Sequence, residues 1–270
     1  MNTTSATPTS PRSLIYRIAV FAYGVAAYAI GVATLLAVIL TLLGVLPFAG
    51  VLGPRGVGAG VALDALLLVV FGLQHSVMAR PSFKARWTRL IPAAAERSTY
   101  VLATGLVLGP MLALWQPMPE VVWSVEAPLL RWCVLGLALG GWAYLFAASF
   151  AINHFELFGL QQVYQVLRGR PLTEAPFQER WMYRFDRHPI MTGILIGLWA
   201  TPTMTLDHLL FAAGSTLYVW VGVFFEERSL QRQWGRDYEA YRERVGTIVP
   251  TLRSWHSTPE VAASRTQKRS

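Results

Sequence analysis

Apolar residues run along this chain in blocks too long for the core of a soluble domain. Nearly uncharged stretches cover residues 14–44, 59–79, 98–115 and 128–152, and a last apolar region covers 189–225. A helix that crosses a bilayer needs about 20 such residues. The first block carries only Arg17 near its start and exceeds the apolar core of a signal peptide. Asp64 is the single charge of the second block, and Arg131 opens the fourth. The last region is interrupted at Thr201-Pro202-Thr203-Met204-Thr205-Leu206-Asp207-His208, whose Thr, Pro and Asp read as a turn. It divides into spans 189–204 and 206–225, folded as a tight helical hairpin, the former short for a full crossing. The pattern predicts an all-α, polytopic membrane helix bundle of five to six transmembrane helices. Residues 14–250 form the membrane domain. The polar ends, residues 1–13 and 251–270, are predicted to be disordered.

Composition agrees with this pattern and removes other classes. Hydrophobic residues make up 54% of the chain and charged residues 14%, against roughly 25% charged in ordinary globular proteins. Disorder of the whole chain is excluded. A single cysteine, Cys133, excludes a disulfide scaffold, a zinc ribbon and a CxxC redox site. The net charge of +8 raises the question of nucleic acid, and the placement of the charges answers it. Arg80, Lys84, Arg86, Arg89 and Arg97 lie between the second and third spans, and Arg168, Arg170, Arg180, Arg184 and Arg187 between the fourth and fifth. Arg228 opens a further basic run in the tail. The opposite connections hold Arg55 and Arg131 with the acids Glu120, Glu126 and Asp207. This alternation orients six spans with both termini cytoplasmic. The basic residues are juxtamembrane anchors that meet lipid headgroups. The predicted partner is the lipid bilayer, with no nucleic acid and no obligate protein partner.

Ionisable and amide groups at membrane depth are costly and mark function by default. Here Gln74 and His75 end the second span, Asn153, His154 and Glu156 end the fourth, Arg187, His188 and Pro189 begin the fifth, and Glu226 and Glu227 end the sixth. By the orientation above all four groups lie at the cytoplasmic face, where they line one pocket if the helices bundle. Each also has a plainer reading. Asn153 suits a helix cap, and Pro189 suits the first turn of a helix. Acids at a helix C-terminus oppose its dipole, so Glu226 and Glu227 call for a compensating cation or arginine. The histidines and glutamates lack HExxH spacing, so no metal site is predicted. No P-loop, GxGxxG or GxSxG motif is present.

Arg187-His188-Pro189, with Gly193 and Trp199 beyond it and then Leu217 and Glu226-Glu227, resembles the isoprenylcysteine carboxyl methyltransferase and phospholipid methyltransferase superfamily of membrane enzymes. Tyr238-Glu-Ala-Tyr241-Arg242 resembles that family's ending. Phe71 to Pro81, Glu96 to Tyr100, Asn153 to Gly159 and Trp199 to Thr205 narrow the likeness to the bacterial methanethiol S-methyltransferases. The superfamily usually carries a tyrosine shortly after the His-Pro, where this chain has Ile190, Met191 and Thr192.

The resemblance implies S-adenosylmethionine as cofactor, a small-molecule thiol substrate, and residence in the bacterial inner membrane with the active site at the cytoplasmic face. It implies a cofactor site of Arg187, His188, Pro189, Gly193, Trp199, Glu226, Glu227, Tyr238, Tyr241 and Arg242. Given that cofactor, Glu226 and Glu227 suit its cationic groups, and Arg187 with the first N–H groups of the fifth span suits its carboxylate. An alkanethiol titrates at or above about 8.5, so the enzyme must remove its proton. His75 and His154 are the candidate bases, oriented by Gln74, Asn153 or Glu156. The competing expectations are a membrane methyltransferase acting on a prenylcysteine carboxylate or a phospholipid amine, and a non-enzymatic accessory protein of nitrogen-oxide respiration whose histidines bind haem.

Overall fold

The computed structural model describes residues 13–53, 55–173 and 180–248. Of the predicted disordered ends, residues 1–12 and 251–270 lie outside the described residues, and Ser13 is described. The chain is an all-α membrane protein, apart from one two-stranded β-ribbon. Among the described residues, five helical segments are long and apolar enough to cross a membrane. The described residues form two compact units, residues 13–119 with 153–173, and residues 120–152 with 180–248.

In the first unit, α1 (Leu14–Leu42) starts at Ser13, whose hydroxyl accepts the Tyr16 N–H at 3.3 Å. Helix α2 (Val57–Ala79) ends where Pro81 opens the short α3 (Pro81–Trp87). Helix α4 (Glu96–Leu114) packs against both α1 and α2. Asp64 is fully buried in α2 and accepts the Gln116 N–H at 3.0 Å, which ties the chain leaving α4 to α2. After a long excursion the chain returns as α6 (His154–Leu157) and α7 (Leu160–Leu167). Gly159 joins them at φ 86°, and a Cβ there would stand 2.6 Å from the Ser98 nitrogen. Only glycine suits both the backbone angle and the close approach to α4. At the other end of α7, Arg17 donates to the carbonyls of Val166 and Leu167, which caps the helix with a cation.

In the second unit, α5 (Pro128–Ile152) packs along α8 (Pro189–Trp199). Their crossing is close because it is lined by glycine. A Cβ on Gly193 would lie 2.6 Å from the Gly141 carbonyl oxygen and 2.7 Å from the Leu145 nitrogen. Small residues permit this approach between apolar helices. Helix α8 has 11 residues, so it rises about 16 Å, roughly half of a hydrocarbon core. Met191, Ile194 and Leu195 of α8 pack on Val219 and Val223 of α9 (Leu206–Trp234), which forms the C-terminal hairpin.

The connection between α8 and α9 is more than a turn. β1 (Val121–Ser124) pairs antiparallel with β2 (Thr203–Thr205), with Val121 opposite Thr205 and Ser124 opposite Thr203. Thr203 and Thr205 are β-branched and find partners in a Val-Val-Trp run, so the segment extends. Helix α9 also continues past Phe225 to Trp234. The change in hydropathy there marks the end of the apolar stretch, while the hydrogen-bonded helix runs on. Glu226 and Glu227 therefore lie inside a helix, not at its C-terminus, and the dipole argument for a compensating group does not apply to them. Helix α10 (Arg236–Arg244) folds back, with Tyr238, Tyr241 and Val245 packed against Leu230 and Trp234.

Candidate functional site

In the second unit, the start of α8 and the polar end of α9 build one network. Arg187 forks onto Glu227, with Nε 2.9 Å from Oε1 and Nη2 3.1 Å from Oε2. Its other N–H groups reach Thr247 Oγ1 at 2.7 Å and the carbonyls of Arg242 at 3.1 Å and Val245 at 2.5 Å. A guanidinium has five N–H donors, so every one of them meets a protein acceptor. His188 places Nε2 2.8 Å from Glu227 Oε1 and Nδ1 3.5 Å from Glu226 Oε2. Tyr238 donates its hydroxyl to Glu227 Oε1 at 2.7 Å, and Arg242 Nε stands 3.2 Å from Oε2. Glu227 is thus the hub, with its side chain 13% exposed, whereas that of Glu226 is 50% exposed.

These contacts set the charges. Burial alone pulls the His188 imidazole down, but its bonds to Glu226 and Glu227 outweigh that and hold it up at about 9. His188 is therefore an imidazolium at neutral pH. Burial, and then the bond to Glu227, pushes the Tyr238 hydroxyl well above the ordinary tyrosine range. Tyr241 donates to the Tyr183 carbonyl at 2.6 Å, which anchors α10 to the turn Trp181–Arg184 before the site. Pro189 is fully buried at the first position of α8.

Two further expected members stand apart from this network. Gly193 faces the α5 backbone at the glycine crossing. Trp199 closes the opposite end of α8, about 15 Å along the axis from Pro189, and donates to Thr216 Oγ1 at 2.9 Å.

The first unit holds the other candidates. His75 lies between two hydroxyls of α4, with Nε2 2.6 Å from Tyr100 and Nδ1 3.2 Å from Thr104. Phe71 stacks on its ring at 5.4 Å. Gln74 Nε2 contacts Met78 Sδ one turn along at 3.1 Å and does not orient His75 through any described bond. His154 is buried, with Nε2 2.9 Å from the Tyr28 hydroxyl and Phe158 against its ring at 4.7 Å. Burial lowers the His154 pKa and so favours the neutral ring. Asn153 caps α6, accepting the Glu156 N–H at 3.2 Å, and its amide donates to Glu156 Oε2 at 3.1 Å and to Gln161 Oε1.

Several residues of these networks have no signal of their own in the sequence. Tyr28, Tyr100 and Thr104 are ordinary members of apolar helices until their hydroxyls meet a histidine. Thr247 joins through Arg187 from far along the chain.

Comparison with known proteins gives relatives of two kinds. The chain is 48% identical to the methanethiol S-methyltransferase of Mycobacterium tuberculosis, over 72% of its own length and 80% of that protein. It is 44% identical to methanethiol S-methyltransferase 1 of Bradyrhizobium diazoefficiens, over 72% and 68% of the two chains. Rat nurim is 32% identical over 66% and 70%. No protein-family model matches the chain, and no solved structure does.

Proposed function

Because the chain belongs to the methanethiol S-methyltransferase family, we propose that it methylates methanethiol to dimethyl sulfide, with S-adenosylmethionine as methyl donor. The donor, when bound, supplies a methyl group on a sulfonium centre and carries an ammonium and a carboxylate besides. The second unit suits these charges. Glu226 is half exposed and held beside an imidazolium, so its carboxylate is the acid available to the cationic groups. Arg242, 42% exposed, and the first N–H groups of α8 suit the carboxylate. Arg187 and Glu227 hold one another and their neighbours, and so position the site rather than touch the donor.

The acceptor needs its proton removed, because little of a small thiol is ionised at neutral pH. His154 or His75 takes the S–H proton onto a ring nitrogen and leaves a thiolate as nucleophile. The neutral state of His154 is the one a base requires. Asn153 and Glu156 fix the turn that carries it. The substrate is small and apolar, so it partitions into lipid and reaches a membrane enzyme from the bilayer. The charge alternation supports placing the basic connections and both termini in the cytoplasm.

The observation that carries the donor half is the exposed Glu226 beside a fully occupied Arg187–His188–Glu227 network. The test is headspace gas chromatography on membranes containing the protein, supplied with S-adenosylmethionine and methanethiol. Dimethyl sulfide from the parent and little from Glu226→Gln supports the reading. No dimethyl sulfide from parent protein that still binds S-adenosylmethionine discards the acceptor and turns the search to prenylcysteine and lipid amines.

A further inference from the structure

Asp186, immediately before Arg187, is fully buried and contributes to none of the contacts described above. Its Oδ1 accepts the His188 N–H at 2.9 Å. Its Oδ2 is hydrogen-bonded to Thr192 Oγ1, and the same hydroxyl lies 2.5 Å from the Ile248 carbonyl oxygen. The Asp186 main chain also bridges to Gly246, and the Arg187 N–H meets the Gly246 carbonyl at 2.9 Å. The segment after α10 is therefore laid against the entry to α8, with Asp186 between them.

With Asp186 ionised, the Thr192 hydroxyl has one hydrogen for two acceptors. Three contacts join its carboxyl group, the His188 N–H, the Thr192 hydroxyl and the Ile248 carbonyl. An ionised carboxylate and a carbonyl are acceptors only, and a threonine hydroxyl carries one hydrogen. With Asp186 ionised, the His188 N–H and the Thr192 O–H supply two hydrogens for three contacts. Either the Thr192 hydrogen is shared between two acceptors, or a third hydrogen on Asp186 Oδ2 gives each contact its own. The two cations nearest in sequence, Arg187 and His188, act on Asp186 through space but spend their side-chain hydrogens elsewhere. The Arg187 guanidinium is filled by Glu227, Thr247 and two carbonyls, and the His188 ring is turned to Glu226 and Glu227. The Tyr183 hydroxyl, pushed well above the ordinary tyrosine range, also acts on Asp186 and adds no positive charge.

We infer that Asp186 is a proton-bearing positioning residue, whose neutral carboxyl group fixes the main chain at His188 and, through Thr192, latches the segment at Ile248 onto the start of α8. The hydrogens then run in one direction. His188 N–H donates to Asp186 Oδ1, Asp186 Oδ2–H donates to Thr192 Oγ1, and Thr192 O–H donates to the Ile248 carbonyl. Burial pushes the carboxyl pKa up, against the opposing pull of its bonds to Thr192 and His188 and of the His188 and Arg187 charges. The effect on the site is indirect. Asp186 sets the backbone from which the His188 ring reaches both glutamates, and it holds the carbonyl-bearing segment that Arg187 grips.

This inference rests on the donor-binding reading above, and its test separates the two. Infrared difference spectra of purified protein in lipid nanodiscs, parent against Asp186→Asn, read the proton directly and need no donor. A protonated-carboxyl C=O band at neutral pH, absent from the variant, is the expected result. Its absence overturns the inference, whatever the protein binds. The second arm measures S-adenosylmethionine affinity and kcat. Asparagine offers the same acceptor to His188 and an N–H toward Thr192, so Asp186→Asn is expected to stay within about threefold of the parent. Asp186→Ala removes both bonds and is expected to weaken donor affinity about tenfold or more, with a smaller change in kcat. If the alanine variant does not fold, Thr192→Val cuts the latch in its place and is expected to weaken donor affinity. Loss in Asp186→Asn equal to that in Asp186→Ala would show that the charge matters and overturn the inference.

Discussion

The Tyr238 hydroxyl and the His188 ring meet on a single oxygen, Glu227 Oε1, at 2.7 and 2.8 Å. That oxygen also takes Arg187 Nε, so three donors from two parts of the chain converge on one carboxylate oxygen. The two neighbouring glutamates should therefore behave differently. Glu227→Ala leaves the Arg187 charge buried without its partner and is expected to cost about 3–5 kcal/mol of stability. Glu226→Gln is expected to lose much less stability than Glu227→Ala, since only the His188 contact is weakened, and to bind S-adenosylmethionine more weakly. Thermal unfolding and donor titration of both variants check the division. Equal stability in the two would remove the assignment of Glu227 as hub.

The raised His188 pKa gives a pH dependence of definite sign. The imidazole titrates near 6.5 when unfolded and at about 9 in the folded protein. Its contribution to stability is fully present below about pH 6.5 and is lost as pH rises through about 9. The Tyr183 and Tyr238 hydroxyls are pushed above the ordinary tyrosine range and stay neutral through this window. The melting temperature of the parent is expected to fall between neutral pH and about 9. In His188→Gln that fall should flatten. A parent curve level across this range would contradict the assignment.

The histidine roles are separable by activity. His154→Ala is expected to abolish dimethyl sulfide formation, or His75→Ala to do so, while donor affinity holds. Full activity in both variants would leave the thiol without a base from either residue. Tyr100→Phe removes the 2.6 Å partner of His75. If His75 is the base, this change should shift the pH profile of kcat. If His154 is the base, the profile should stay in place.

The glycine crossing should tolerate nothing larger. Gly193→Ala drives a methyl group into the Gly141 carbonyl and the Leu145 nitrogen, both backbone atoms that cannot rotate away. The expected cost is about 1–3 kcal/mol, read as a lower melting temperature. Gly136 has open space at its Cβ position. Gly136→Ala is the control and should unfold like the parent.

Much of this arrangement is legible in the sequence because hydropathy and local pairing are short-range signals. The apolar runs place the long helices, since lipid-facing residues need no partner to be recognised. Arg187-His188 and Glu226-Glu227 stand out as charge beside apolar spans, and opposite charges 39 residues apart in His188 and Glu227 do pair. What cannot be read is which donor meets which acceptor. Sequence makes Arg187 a ligand-binding cation, whereas its fork is filled by Glu227, Thr247 and two carbonyls. The end of α9 is hidden because a helix continues through water as readily as through lipid. The β-ribbon is hidden because Thr203–Thr205 becomes a strand only when Val121–Ser124 lies beside it. Tyr28 and Tyr100 carry no mark until the fold turns their hydroxyls to His154 and His75.

The occupied Arg187–Glu227 fork bears on how quickly a donor is captured. A carboxylate already held by arginine, histidine and tyrosine has no slack to take up when a ligand arrives, and its neighbours keep their rotamers. Little ordering entropy remains to oppose association. Stopped-flow mixing with S-adenosylmethionine should then show a single phase whose rate climbs linearly with concentration. A plateau would report a slow closing step that this architecture does not need.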